Sequence, residues 1–161
     1  MNVVGFVRGQ CGLGEDVRMA SAALDAAGVP YVLCDVPAGP TVPQGDDSLS
    51  DRLTERLPYK VTIYCMSAFD MAGLYLARGP GFFAGQYRIG YWPWELPSFP
   101  ALWKDVYTLV DEVWAGSTFT AQSHRTRGPK PVRRLPCPVV LPRVPPVQRR
   151  DLGLHLSLIH I

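Results

Sequence analysis

No stretch of the chain approaches the run of about 20 apolar residues that a membrane-spanning helix needs. The amino terminus, "MNVVGFVRGQ", lacks the basic segment, apolar stretch and cleavage site of a signal peptide. None of the four cysteines (Cys11, Cys34, Cys65, Cys137) stands in a Cys-x-x-Cys pair or at metal-ligand spacing. With Cys34 and Cys65 inside apolar runs, free thiols and a cytoplasmic setting are expected. Missing too are a nucleophile–histidine–acid set and a cluster of metal ligands, so hydrolase and metalloenzyme chemistry find no support. There is no internal repeat. Acidic residues are scarce at one end: residues 1–112 carry 8 basic and 13 acidic side chains, net −5, whereas 113–161 carry 8 and 1, net +7. Such a basic end suits a solvated arginine surface, or an anionic lipid or phosphate partner, and no nucleic acid is expected.

What is present is a globular composition, 47% apolar and 19% charged over 161 residues, enough for one ordinary domain. "NVVGFV" (2–7) is a buried-strand pattern, "GQCGLG" (9–14) a turn, and 15–28 places Val17, Ala20, Leu24 and Ala27 on one helical face. "YVLCDV" (31–36) completes a strand–helix–strand unit. Further strands are expected at 60–66, 87–92, 112–116 and 131–135. Helices are expected at 51–57, 68–78, about 100–110 (packing Leu102, Val106, Leu109 and Val110) and from Ser117 or Thr118 to about 125. Alternation of this kind predicts an open, doubly wound, mostly parallel α/β sheet, Rossmann-like, of five to seven strands over residues 1–135. Residues 136–155 are Pro-rich and read as an interdomain segment; "PCPVVLPRVPPVQRR" holds five prolines. The chain looks cut off beyond it. "LSLIHI" (156–161) resembles a translated sequencing adapter and reads as a non-native tail.

Ligands of open parallel sheets bind beyond the carboxyl ends of the strands. Collected there are the Gly9–Gly14 turn with Glu15 and Arg18, then Asp35, Ser67 and Asp70, then Trp92, Trp94 and Glu95, then Ser117 and Thr118. A glycine turn opening a helix lets phosphates approach backbone N–H groups, and Asp35 sits where a ribose-binding acid would. The spacing Gly9-x-x-Gly12-x-Gly14 is not that of a dinucleotide fingerprint, and Glu15 and Asp16 would repel a pyrophosphate. "GYWPWE" (90–95) suits a sugar, whose apolar face a tryptophan covers while Glu95 accepts from hydroxyls. The plainer reading makes Trp92 core, and Trp103 and Trp114 are expected there too. His124 is expected at the surface. Arg125, Arg127, Lys130, Arg133 and Arg134 are expected to form one basic surface.

The ordered series "GQCGLGEDVR", "GYWPWELPSFPALW", "DEVWAGSTF" and "PVRRLPCPVVLPR" resembles the N-terminal domain of family-4-type glycosyltransferases with the GT-B architecture, over roughly residues 2–154. The resemblance implies a parent enzyme that transfers a sugar from a nucleotide-sugar donor, a substrate rather than a cofactor, to a hydroxyl on a carbohydrate or lipid-linked acceptor. By the same resemblance Gly12, Gly14, Glu15 and Arg18 belong to a loop near the donor phosphates, and Trp92, Trp94, Glu95 and Ser117 to the acceptor-side cleft. No catalytic residue and no metal ligand is assigned. The donor domain of such an enzyme is missing, so the fragment alone is expected to be inactive, and peripheral membrane contact is implied. Two other readings stay open: an NAD(P)-binding oxidoreductase domain, and a non-catalytic carbohydrate- or protein-binding module.

Overall fold

A computed structural model describes residues 1–139 and 146–153. The expected tail 156–161 and the middle of the Pro-rich segment lie outside the described residues. Six strands form one sheet: β1 (Asn2–Gly5), β2 (Val32–Asp35), β3 (Val61–Cys65), β4 (Tyr87–Tyr91), β5 (Glu112–Ala115) and β6 (Val132–Arg134). Their order is β2-β1-β3-β4-β5-β6 and every pairing is parallel. This is the Rossmann-like open sheet that the alternation predicts. Three α-helices flank it: α1 (Gly12–Ala26), α2 (Ala68–Arg78) and α3 (Thr118–Arg127).

The apolar doublets of the strands explain why both faces are covered. Side chains alternate along a strand, so a run such as Val3-Val4 or Ile63-Tyr64-Cys65-Met66 feeds two cores at once. Val4, Tyr64 and Met66 join Met71 and Leu74 of α2 on one face. Val3, Ile63 and Cys65 meet Val17 of α1 on the other, with Leu49 and Leu53 at its margin.

Two expected helices come out differently. At 51–57 the chain makes one 3₁₀ turn, Ser50–Arg52, then extends so that Thr54 N–H donates to the Leu33 carbonyl at 2.8 Å. That bond satisfies part of the open edge of β2, a demand local propensity cannot express. The stretch 100–110 is a 3₁₀ segment, Ala101–Leu109. With three residues per turn, Trp103, Val106 and Leu109 share one side, and Leu102 swings outward to 88% exposure instead of packing.

The tryptophans divide. Trp92 is buried, lying across Gly90 so closely that a Cβ there would stand 2.5 Å from the indole. Trp103, expected in the core, is over a third exposed and meets Trp94 edge to face. Trp114 is partly buried and donates Nε1–H to Glu112. His124 is the clearest reversal: it is fully buried, its ring against Trp92 and Phe99 and its Nδ1 at 2.8 Å from the Tyr107 hydroxyl. Gly128 admits the Tyr107 ring, which would stand 2.6 Å from a Cβ.

Candidate functional site

The chain runs from β1 outward to β2, then returns to β3 on the other side of β1. The connections that leave the carboxyl ends of β1 and β3 therefore diverge, and a crevice opens between them. The glycine turn stands at this point. Val7 to Gly14 is closed by Gly9 N–H to the Phe6 carbonyl at 2.9 Å and clamped from outside by Gln10 N–H to the Pro43 carbonyl at 2.9 Å. Gly14 is required by close approach, since a Cβ would stand 2.0 Å from the Gly9 carbonyl oxygen. Gly12 has no such reason. It is exposed, its φ is ordinary, and no atom lies within 4 Å of a Cβ built there.

Helix α1 starts at Gly12, and its N-cap, Cys11, makes no side-chain hydrogen bond. The first-turn amides thus keep their hydrogen-bonding capacity at the ligand edge. Arg18 braces the turn: Nε donates to Glu15 at 2.7 Å, Nη1 reaches the Val7 and Gly9 carbonyls at 3.4 Å, and Asp46 lies 3.1 Å away. Glu15 and Asp46 therefore share the single charge of Arg18. Asp16 is a different kind of carboxylate. It lines an apolar slot with Tyr91 and Trp114, and burial, reinforced by Glu15, pushes its pKa up to about 6. Asp35 is already engaged, its Oδ1 accepting from Arg8 N–H at 3.2 Å. Ser67 and Asp70 form the reciprocal cap of α2.

Beyond β4, Trp94 is half-buried. Its ring packs on Phe99 with centroids 5.0 Å apart, and its Nε1 donates to the Ser98 carbonyl at 3.1 Å. Glu95 is exposed and has no hydrogen-bond or ion-pair partner among the described residues. Ser117 caps α3, accepting from Thr120 N–H at 3.0 Å, and Thr120 Oγ1 in turn donates to the Trp94 carbonyl at 3.0 Å. The cap therefore ties the aromatic loop to the helix that follows β5. Ser117→Ala is expected to lower stability by about 1 kcal/mol, measured by urea denaturation.

The expected residues thus fall into two groups along one sheet edge. Gly12, Gly14, Glu15 and Arg18 gather at the start of α1. Trp94 packs on Phe99 and is tied to Ser117 through Thr120, Trp92 reaches Phe99 through Tyr107 and His124, and Glu95 follows Trp94 on the exposed loop. Within them only Gly12, Glu95 and the outer face of Trp94 lack a clear internal task. The five basic residues expected on one surface divide: Arg125 donates to the Val132 carbonyl, Arg133 pairs with Glu112 at 3.2 Å, and Arg133 and Arg134 alternate across β6. Arg127 and Lys130 instead border a cavity of about 470 Å³ with Lys104. The Tyr107–His124 pair was invisible in the sequence because α3, "TFTAQSHRTR", is mostly polar and shows no apolar stripe, Phe119 and Ala121 being its only apolar residues. Among the described residues no helix is long and apolar enough to cross a membrane and no group of residues is placed to hold a metal. No protein-family model and no curated protein matches this chain.

Proposed function

We propose that this chain is the acceptor-side half of a family-4-type sugar transferase with the GT-B architecture. The parent enzyme moves a sugar from a nucleotide-sugar to a hydroxyl acceptor. The observation that carries the reading is the uncapped start of α1 at the crevice, with Gly12 bare and open beside it. A leaving diphosphate docked there would accept hydrogen bonds from backbone N–H groups that cost no reorganisation as charge develops, against a repulsion from Glu15 and Asp16 that Arg18 offsets in part. The nucleotide and the remaining cationic groups belong, on this reading, to a second domain. Trp94 and Glu95 form the acceptor wall, one as an apolar face and the other as a hydroxyl acceptor.

A dinucleotide reading is the weaker one, because the glycine spacing is not that of a dinucleotide fingerprint and one Asp35 oxygen, Oδ1, already accepts from Arg8 N–H. Titration of the 161-residue chain with NADH, followed by fluorescence, is expected to show no binding. Contact with an anionic membrane belongs to the same proposal through Arg127 and Lys130, at about 1 kcal/mol for each basic residue near the surface. Sedimentation with anionic vesicles that salt does not weaken would remove it.

The decisive test uses the enzyme with its donor domain. Trp94→Ala and Glu95→Gln are each expected to lower turnover about tenfold or more with the circular dichroism spectrum unchanged. Unchanged acceptor use with lowered thermal stability would make the aromatic loop purely structural.

A further inference from the structure

Four glycines among the described residues have neither a positive φ nor any atom within 4 Å of where a Cβ would stand: Gly12, Gly39, Gly73 and Gly81. Gly73 is the most costly of them. It occupies the middle of α2, where glycine is disfavoured because it gives up more backbone freedom than any other residue and offers no side chain to pack. Nothing inside the fold requires it. Gly39 and Gly73 line the same cavity, about 580 Å³, at the crevice where the connections from β1 and β3 part. Phe6 and Val36 form its inner wall, one following β1 and the other β2.

The polar groups at this cavity are of both signs. Asp70 uses Oδ2 to hold Ser67 N–H and Oγ–H, leaving Oδ1 without a hydrogen bond among the described residues. Arg78 lies over the Phe82 ring at 5.4 Å and has no carboxylate within ion-pair distance among the described residues. Phe69, 67% exposed, stands at the rim. An anion alone would meet Asp70 and a cation alone would meet Arg78. The combination suits a neutral ring with one apolar face and a rim of hydroxyls.

We propose that this cavity is a saccharide subsite, distinct from the Trp94–Glu95 wall although Trp103 links Phe69 to Trp94, that takes one neutral hexopyranose ring. Its apolar face rests on Phe69 and on the bare backbone of Gly73, and its hydroxyls donate to Asp70 and accept from Arg78. Naming a sugar as the occupant rests on the transferase reading; the existence of the subsite rests on the two glycines and the cavity.

The test is saturation-transfer NMR on the 161-residue chain with the methyl α-glycosides of glucose, mannose and galactose. At least one is expected to receive saturation from the wild type. The signal should weaken about tenfold or more in Gly73→Leu, which fills the groove, and persist in Trp94→Ala. Gly73→Ala, which only restores helix propensity, should raise the thermal midpoint by about 2–5 °C and so show that the position tolerates a side chain. A signal kept in Gly73→Leu and lost in Trp94→Ala would overturn this subsite while leaving the transferase reading intact. A signal from no glycoside would overturn the subsite outright. A chain that sediments as a dimer, and as a monomer after Gly73→Leu, would give the bare helix face to a second copy instead. Binding that obeys the expected pattern in an enzyme with no transferase activity would sink the parent reading and leave the subsite standing.

Discussion

Gly14→Ala is expected to destabilise the domain by about 3 kcal/mol or more, whereas Gly12→Ala, two residues away, is expected to be neutral or to stabilise by up to about 1 kcal/mol. The contrast follows from what each missing methyl would meet. At Gly14 it would stand 2.0 Å from the Gly9 carbonyl oxygen and 2.9 Å from that of Phe6. Both are backbone atoms, and neither can retreat alone. The Phe6 carbonyl is held by Gly9 N–H, and the Gly9 carbonyl faces Arg18, which is itself tied to Glu15 and Asp46. Relief would mean opening the turn or lifting α1 from the sheet. Lifting α1 in turn removes Val17 from the Val3–Ile63–Cys65 core. At Gly12 the methyl would enter open space in the first turn of a helix. Urea denaturation of both variants checks the ordering, and equal stabilities would mean that the turn has room for a methyl at Gly14. Activity separates the two in the opposite sense. If diphosphate docks on the start of α1, Gly12→Ala lowers turnover without loss of fold.

The pair also marks where the sequence was legible. The strands were, because runs such as "TIYCM" are apolar at both parities and can only lie between two covered faces. The parallel order followed from their alternation with helices. The 3₁₀ segment 101–109 was not legible, since the same residues offer an apolar face at 3.6 residues per turn as well as at three. Spacing also could not sort the glycines: Gly12 and Gly14 look alike in a motif, and only the position of the Gly9 carbonyl tells them apart. At the site, Ser117 and Trp92 sit where the sequence put them, at the ends of β5 and β4. Their bonding partners are Thr120 and the ring cluster of Phe99, Tyr107 and His124, contacts made across the fold that no local pattern encodes. His124 was misplaced for that reason. A histidine on a polar helix reads as solvated until the aromatic wall beneath it is known.

That buried histidine is expected to make the domain acid-sensitive by about 3 kcal/mol, in a window set by two opposing groups. Burial holds the His124 pKa down to about 4 from an ordinary 6.5, with the Trp92 backbone opposing in part. The Tyr107 hydroxyl lies 2.8 Å from Nδ1, and Nε2 has no hydrogen-bond partner among the described residues. The unfolded chain therefore takes up a proton below pH 6.5 that the folded chain refuses until about pH 4. The stability that depends on His124 falls as pH drops through that interval and is constant outside it; 2.5 pK units correspond to about 3 kcal/mol. Asp16 acts the other way. Its pKa is raised to about 6, so the folded state holds a proton that the unfolded carboxyl loses near pH 4. Its cost is present above pH 6 and is relieved on acidification. Because Asp16 is only partly buried, water screens that cost and His124 wins. Urea midpoints measured at pH 4, 5, 6 and 7.5 should thus decline toward acid in the wild type. Asp16→Asn should be more stable than the wild type at pH 7.5 and decline more steeply, having lost the compensating group. His124→Asn, whose side-chain amide can still bond the Tyr107 hydroxyl, should start less stable because a cavity replaces the ring, yet lose most of the decline. A flat profile in Asp16→Asn would mean that His124 is hydrated in solution, and that the aromatic wall of Trp92, Phe99 and Tyr107 does not close over it.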